Sequence, residues 1–271
     1  MSQPSGWQLS GSASEAYERY IVQAFMQGWT QALLDVAALG AGARVLDVGC
    51  GTGVVARQAA SRVGKEGHVV GVDLNAGMLA MARMLPQSSG ASIEWKEGNV
   101  TALPFPEASF DAVLCQQGLQ FFPDKPAALR DMRRVLMPTG HLVLSVWRHI
   151  SHCPWQRAVA DALERHGSTD AALGIRGAFA LGDREELRAL VSAAGFRTIR
   201  VRIDSQMIRY PSLDEFVPGY LSATPVAGIV AKLDQPTRAA ILQEVKTWLR
   251  PYVDDDGLAA PIEAHVLVAN Q

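Results

Sequence analysis

The stretch that most constrains this chain is Val45-Leu46-Asp47-Val48-Gly49-Cys50-Gly51-Thr52-Gly53. A short apolar, β-branched run ends in three glycines at alternate positions, and a helical pattern follows at once. Glycine supplies positive φ and lets a ligand approach main-chain N–H groups with no Cβ in the way. A strand passing into a helix through such a turn opens a β-α-β unit. Ligands of open α/β sheets bind beyond the carboxyl ends of the strands, where this loop lies.

The chain repeats that rhythm. Strands are expected over 44–48, 68–72, 93–97, 110–115 and 141–147. Helices are expected over 53–61, over 76–85 up to Pro86, and over 126–136, stopped by Pro138 and Gly140. Alternation of this kind implies a parallel sheet, right-handed crossovers and helices on both faces. A polar segment, 1–14, precedes a helix over 15–39, where Ile21, Phe25, Trp29, Leu33 and Leu34 recur near a period of 3.6. Past Trp147 the rhythm changes. Helices are expected over 151–173, over 183–194 with Asp183 as cap, over 213–222 and over 235–250, with a loop at 178–181. A half-buried strand over 196–210 sets Ile199, Val201 and Ile203 against Arg200, Arg202 and Asp204, and 262–269 closes the chain as a last strand. We expect one domain over 1–271: a helical lid over 1–40, a ligand-binding core over 44–148, and cap segments over 150–180 and 211–257.

With 48% hydrophobic and 19% charged residues, a substantial core is affordable and disorder is excluded. A net charge of −2 leaves no global attraction for nucleic acid, and none is expected as a partner. The cluster Arg130, Arg133, Arg134 reads as a solvated helix face. The three cysteines, Cys50, Cys115 and Cys153, form no CxxC pair, so no thiolate metal site is expected and a reducing cytoplasm fits. No signal-peptide pattern is visible, and apolar runs such as 142–147 are far too short for a membrane span.

Three strand ends carry the ligand argument. Asp47, just before the loop, would repel a pyrophosphate and accept hydrogen bonds from an ammonium group. Asp73 ends the second strand, twenty positions past Gly53, where a carboxylate can accept both hydroxyls of a ribose or else cap the next helix. Gly98-Asn99 ends the third, where the amide can meet an adenine edge with Leu74 and Val100 on the ring faces, or simply make a turn. The dinucleotide fingerprint GxGxxG would need Val54 or Ala56 as its last residue, and alanine is allowed there, so spacing alone leaves a nicotinamide cofactor open.

As an ordered set, VLDVGCGTG, VVGVDLNAGML, EGNVTALPFPEASFDAV, a strand ending at Cys115, and PAALRDMRRVLMPTGHLVLSVW resemble the class I S-adenosylmethionine-dependent methyltransferases, over about 44–147. The likeness is to the small-molecule group that includes the ubiquinone/menaquinone C-methyltransferase-like enzymes. It implies a Rossmann-like α/β fold: a seven-stranded, mostly parallel sheet whose last strand, 262–269, is antiparallel and inserted beside its neighbour. It implies S-adenosylmethionine as cofactor, S-adenosylhomocysteine as product, and a small apolar or aromatic acceptor methylated at oxygen, carbon or nitrogen.

By the same resemblance Gly49, Cys50, Gly51 and Gly53 line the methionine and ribose, and Asp47 helps hold the amino acid end. Asp73 holds the ribose, Leu74 and Met78 lie beside the adenosine, and Gly98, Asn99 and Val100 meet adenine. Cys115 and Gln116 approach the methionine through their backbone. The N-terminal helix brings Tyr17 to the cofactor and Tyr20 to the acceptor. The sequence departs from the family at Asn99, where aspartate is frequent, and at Gln120-Phe121-Phe122, where a histidine often stands. His149 and His152, just past the fifth strand, are the candidate bases, since histidine titrates near neutrality. Gln117, Phe121, Trp147, Phe179 and Tyr220 are candidates for the acceptor pocket. The alternatives are a protein that binds S-adenosylmethionine but acts as a cyclase or decarboxylase, and an NAD(P)-dependent oxidoreductase.

Overall fold

A computed structural model describes residues 12–87 and 89–271, so most of the leading polar segment lies outside the described residues. Strand β1 (Arg44–Val48) is buried along four of its five residues, as befits an apolar run covered on both faces. It pairs in parallel with β2 (His68–Asp73) on one side and β4 (Phe110–Gln116) on the other. β3 (Ser92–Glu97) extends the sheet beyond β2, and β5 (Leu136–Trp147) extends it beyond β4. The chain returns as β6 (Arg197–Tyr210), adds a two-residue strand β7 (Val253–Asp254), and ends in β8 (Gly257–Asn270). The order is β3-β2-β1-β4-β5-β8-β6, with β8 antiparallel to both of its long neighbours and β7 paired to its end. The expected seven-strand order with its antiparallel insertion is present, and the two-residue β7 adds to the start of β8 off that path.

The N-terminal helix is one helical run in three parts: α1 (Ser12–Tyr17), a π-helical stretch (Glu18–Met26) and α2 (Gln27–Ala37). Further helices are α3 (Val54–Val63), α4 (Ala76–Met84), α5 (Lys125–Val135), α6 (Pro154–Arg165), α7 (Thr169–Gly177), α8 (Arg184–Ala193), α9 (Leu213–Ser222), α10 (Ala227–Val230) and α11 (Gln235–Leu249). The π-helical stretch of the N-terminal run meets β6 and α9, and α2 packs on a face of the sheet.

One face of the sheet packs on α2 and α3 through Leu33, Leu34, Val55, Ala59, Leu114 and Val143. The other packs on α5 and α8 through Leu46, Val70, Leu129, Met132, Leu187 and Val191. A third apolar cluster lies beyond the strand ends. There Trp29, Trp147, Trp155, Phe216 and Tyr220 join α6, α7, α9 and α11 to Leu258, Ala260 and Ile262 of β8. β6 and β8, at 14 residues each, reach past the parallel strands and carry this helical layer.

Several local expectations are corrected. Pro138 and Gly140 do not separate helix from strand. β5 starts at Leu136, and the extra residues are absorbed in a bulge opposite 110–112. The helix expected over 151–173 breaks at Gly167, whose φ is +79°, giving α6 and α7. Ile203 is 50% exposed, because the covered face of β6 changes along its length: Ile199 and Val201 pack toward α8, whereas Ile208 joins the helical layer on the opposite side. Arg134 is no solvated charge. It ties α5 to the preceding loop through Asp131 and the carbonyls of Leu103 and Phe105. Asp183 caps α8 as expected, accepting from the N–H groups of Glu185 and Glu186.

Candidate active site

The glycine loop closes β1 onto β2. Gly49, Gly51 and Gly53 all take positive φ, at +68°, +54° and +85°. The N–H groups of Gly49 and Cys50 both donate to the Val72 carbonyl, at 2.8 and 3.0 Å. Gly53 admits no side chain: a Cβ there would fall 2.2 Å from Trp95 of β3. Asp47 lies beneath the loop, 1% exposed, and accepts the N–H of Ala56 at 3.0 Å. Gly53 has no side chain with which to cap α3, and Asp47 supplies that cap from the strand. Burial pushes its carboxyl up to about 7.

Asp73 braces the same loop. One carboxylate oxygen accepts the Gly51 N–H and the other the Asn75 N–H, both at 2.8 Å. Asn75, not Asp73, caps α4, accepting from Gly77 and Met78. Asp73 is therefore left facing the pocket that it lines, with burial raising its pKa. At the end of β3, the Asn99 side-chain oxygen accepts from the Thr101 N–H and hydroxyl, both at 3.0 Å. The expected acceptor toward an adenine edge is thus engaged within the chain, and the amide's N–H groups are what Asn99 offers outward.

The N-terminal helix roofs the loop. Thr52 donates a buried hydrogen bond to Glu18 at 2.6 Å, and the Tyr17 ring lies 3.9 Å from where a Gly51 Cβ would stand. Burial, with Asp73 and Glu18 nearby, holds the Tyr17 phenol well above its usual range. At the end of β4, Gln116 donates to the Met26 carbonyl at 3.4 Å, while its buried side-chain oxygen has no partner among the described residues. Gln117 takes a positive φ of +53°, donates to the Ser145 hydroxyl at 3.4 Å, and accepts from Gln120 at 3.0 Å.

One continuous pocket runs through these groups. Its outer half is walled by Tyr17, Gly49, Gly51, Asp73, Leu74, Met78, Gly98, Asn99 and Val100. The part of its wall carried by the ends of β4 and β5 and by the helical layer, termed the inner half, includes Gln116, Gln117, Phe121, Trp147, Phe179 and Tyr220. The sequence did not single out Ile21, Phe25, Met26, Gly118, Gln156 and Ala178, which also line it. The helical period flagged Ile21 and Phe25 as apolar, but not which neighbour they meet. Gln156 carries no sequence signal at all.

Other expected site residues are not on the wall. Cys50 and Cys115 are buried behind it, their thiols pushed up by burial. Gly53 is sealed by Trp95, and Asp47 is enclosed beneath the loop. Tyr20 packs on Gly219 and Tyr210. His149 is exposed and caps its own short turn through Ser151. His152 pairs with Glu263 at 3.4 Å. Neither histidine reaches the pocket, because the chain turns outward after Trp147 to enter α6.

The outer half suits an adenosyl group. It has a carboxylate for a ribose diol, main chain freed of Cβ atoms beside it, and an exposed apolar Leu74 (53%) with Met78 and Val100 for a purine face. S-adenosylmethionine fits these residues, and the antiparallel β8 is absent from the all-parallel dinucleotide order.

Comparison with known proteins agrees. A family model described as a methyltransferase domain matches residues 45–140. The ubiquinone/menaquinone biosynthesis C-methyltransferase UbiE of Hahella chejuensis is 34% identical over 183 residues, 67% of this chain and 69% of that protein. The 2-phytyl-1,4-naphtoquinone methyltransferase of Thermosynechococcus vestitus is 40% identical over 121 residues, 45% of this chain and 53% of that one. The chain thus spans only about half the length of this second relative. Among solved structures, a phosphoethanolamine N-methyltransferase of Haemonchus contortus bound to S-adenosylhomocysteine superposes with a TM-score of 0.59 and 20% identity, covering 96% of this chain and 57% of that one. The [4+2]-cyclase SpnF superposes at 0.54 with 21% identity, covering 90% of this chain and 80% of that one. These two likenesses show the fold.

The chain belongs to the class I S-adenosylmethionine-dependent methyltransferases. It transfers a methyl group to a small molecule, and the nicotinamide alternative falls.

Proposed function

We propose that the acceptor is a reduced, quinone-type aromatic ring and that the methyl goes to a ring carbon. The carrying observation is the inner half of the pocket: it continues directly from the glycine loop and is walled by aromatic and apolar side chains with carboxamides. No Lys, Arg, His or Glu lines the pocket among the described residues. A phosphorylated or carboxylated acceptor would find no cation there, whereas a planar neutral ring would be well enclosed. The names of the sequence relatives point the same way: one is a ubiquinone/menaquinone biosynthesis C-methyltransferase and the other a 2-phytyl-1,4-naphtoquinone methyltransferase.

When bound, S-adenosylmethionine supplies a sulfonium methyl, already a strong electrophile. The protein's share is orientation and exclusion of water. Asp73 and the loop would fix the ribose, with Leu74, Met78, Asn99 and Val100 about the adenine. Gln116 and the Tyr17 roof would border the reacting end. Phe25, Phe121, Trp147 and Phe179 would hold the acceptor ring dry against it. An electron-rich hydroquinone carbon would take the methyl as the sulfonium C–S bond breaks to leave S-adenosylhomocysteine. The proton that this carbon then loses would pass to solvent, Asp73 being the one carboxylate in the lining among the described residues. The helices α6, α7, α9 and α11 act in this reading as a cap over the acceptor half. The three cysteines, all free, suit the reducing cytoplasm.

The test is turnover. The purified protein is incubated with S-adenosylmethionine and 1,4-naphthohydroquinone kept reduced. Release of S-adenosylhomocysteine with a product 14 mass units heavier, bearing a C-methyl by NMR, is the expected result. An O-methyl product or no turnover overturns the reading.

A further inference from the structure

The pocket wall holds a polar atom that has no hydrogen-bond partner among the described residues. Gln156, on the first turn of α6, is 2% exposed, lines the pocket, and its side-chain oxygen has no hydrogen-bond partner. Its neighbours are built differently. Trp155, beside it in sequence, is turned into the apolar layer against Phe216 and Tyr220, at ring separations of 5.0 and 4.6 Å. The only other lining side chain with an orphaned oxygen among the described residues is Gln116, at the end of β4. Gln117, by contrast, is satisfied by Ser145 and Gln120.

A buried carboxamide left without a partner is costly, native interiors keep few of them, and one that lines a pocket is placed to be completed by what the pocket binds. A leucine or methionine would fill the same volume of an aromatic wall at no such cost. We propose that Gln156 binds a ring oxygen of the acceptor, and so selects neutral oxygenated aromatic rings over plain hydrocarbons and fixes which ring edge faces the transferable methyl. A carboxamide presents either a donor or an acceptor by rotating about its last bond, so it can meet a hydroxyl or a carbonyl oxygen. It carries no charge, so it does not demand an ionised partner. This rests on the reading above only in placing the acceptor in the inner half of the pocket.

The test measures binding, with S-adenosylhomocysteine saturating, of two probes that differ by one oxygen: 1-naphthol and naphthalene. Wild type is expected to prefer 1-naphthol by roughly tenfold or more. Gln156→Leu, and Gln156→Met as a second variant should the first fold poorly, should bring that preference to within about twofold. S-adenosylhomocysteine affinity should stay close to wild type, and neither naphthalene affinity nor melting temperature should fall, since the substitution removes an unpartnered buried carboxamide. A preference that survives in the variants, or that wild type lacks, overturns the proposal. Failure of wild type to methylate 1,4-naphthohydroquinone, with the 1-naphthol preference present and lost in Gln156→Leu, removes the quinone reading and upholds Gln156. Turnover with a preference unmoved by the substitution does the reverse.

Discussion

The Asp73 carboxylate accepts the Gly51 N–H at 2.8 Å, so a residue that lines the pocket also sets the shape of the loop beside it. If Asp73 holds the ribose as proposed, ligand binding and loop geometry are coupled through one side chain. Asp73→Ala should weaken S-adenosylhomocysteine binding by roughly 1–3 kcal/mol, the scale for a lost charged hydrogen-bond partner. Asp73→Asn, which keeps one acceptor oxygen, should lose less. Calorimetric titration of the three proteins measures this, and equal affinities would show that the ribose lies elsewhere.

Gly53 is excluded from bearing a side chain twice over, by its φ of +85° and by Trp95 at 2.2 Å. Gly53→Ala should cost roughly 2–5 kcal/mol, combining left-handed strain with overpacking. Denaturant unfolding gives the number. Adding Trp95→Leu should recover the overpacking share and leave the strain, so a double variant no better than the single one would contradict the geometry.

Asp47 gives a pH signature. Its folded pKa, about 7, stands above the unfolded value, so the native state holds a proton that the unfolded chain releases. Its contribution is therefore fully present below about pH 4 and is lost as pH rises to about 7. Asp47→Asn keeps an oxygen for the Ala56 N–H and removes the titration. The variant should gain stability over wild type as pH rises through that window, by on the order of 2–4 kcal/mol at pH 8. Melting curves from pH 5 to pH 8 follow the difference, and a constant gap would refute the assignment.

Thr52 joins the loop to the roof through Glu18. Thr52→Val keeps the shape and removes the donor, leaving a buried carboxylate one partner short. A loss of about 1–3 kcal/mol is expected. Hydrogen exchange should quicken over 18–26 more than over α3. Uniform quickening would mean that the bond does not hold the roof in particular.

His149→Ala and His152→Ala should retain activity to within about twofold, since one histidine is solvated and the other is paired to Glu263 outside the pocket. Steady-state kinetics across pH 6–8 would reveal a base that the geometry does not place there.

That Gly49, Gly51, Asp73, Asn99 and Gln116 meet on one pocket wall was legible because they follow strands. They stand at or just beyond the carboxyl ends of adjacent parallel strands, and parallel pairing aligns such ends automatically. Asp47 misled because its spacing suits a ligand as well as a helix cap. Only the direction of its carboxylate, toward Ala56, separates the two. The histidines misled because sequence fixes where a strand ends but not which way the chain leaves it.

The sequence by itself determined the sheet and the turn that opens it, since these rest on local periodicity and on glycines whose φ other residues adopt only at a cost, while the cofactor was implied by the family resemblance and not by the spacing. Tertiary structure decided the acceptor half. Phe25, Trp147, Gln156, Phe179 and Tyr220 come from the N-terminal roof, β5, α6, the loop after α7 and α9, far apart in the chain. They meet because β6 and β8 outgrow the parallel strands and carry the helical layer over the sheet's end. An amphipathic pattern states that a helix face must be buried, but packing alone chooses what it is buried against.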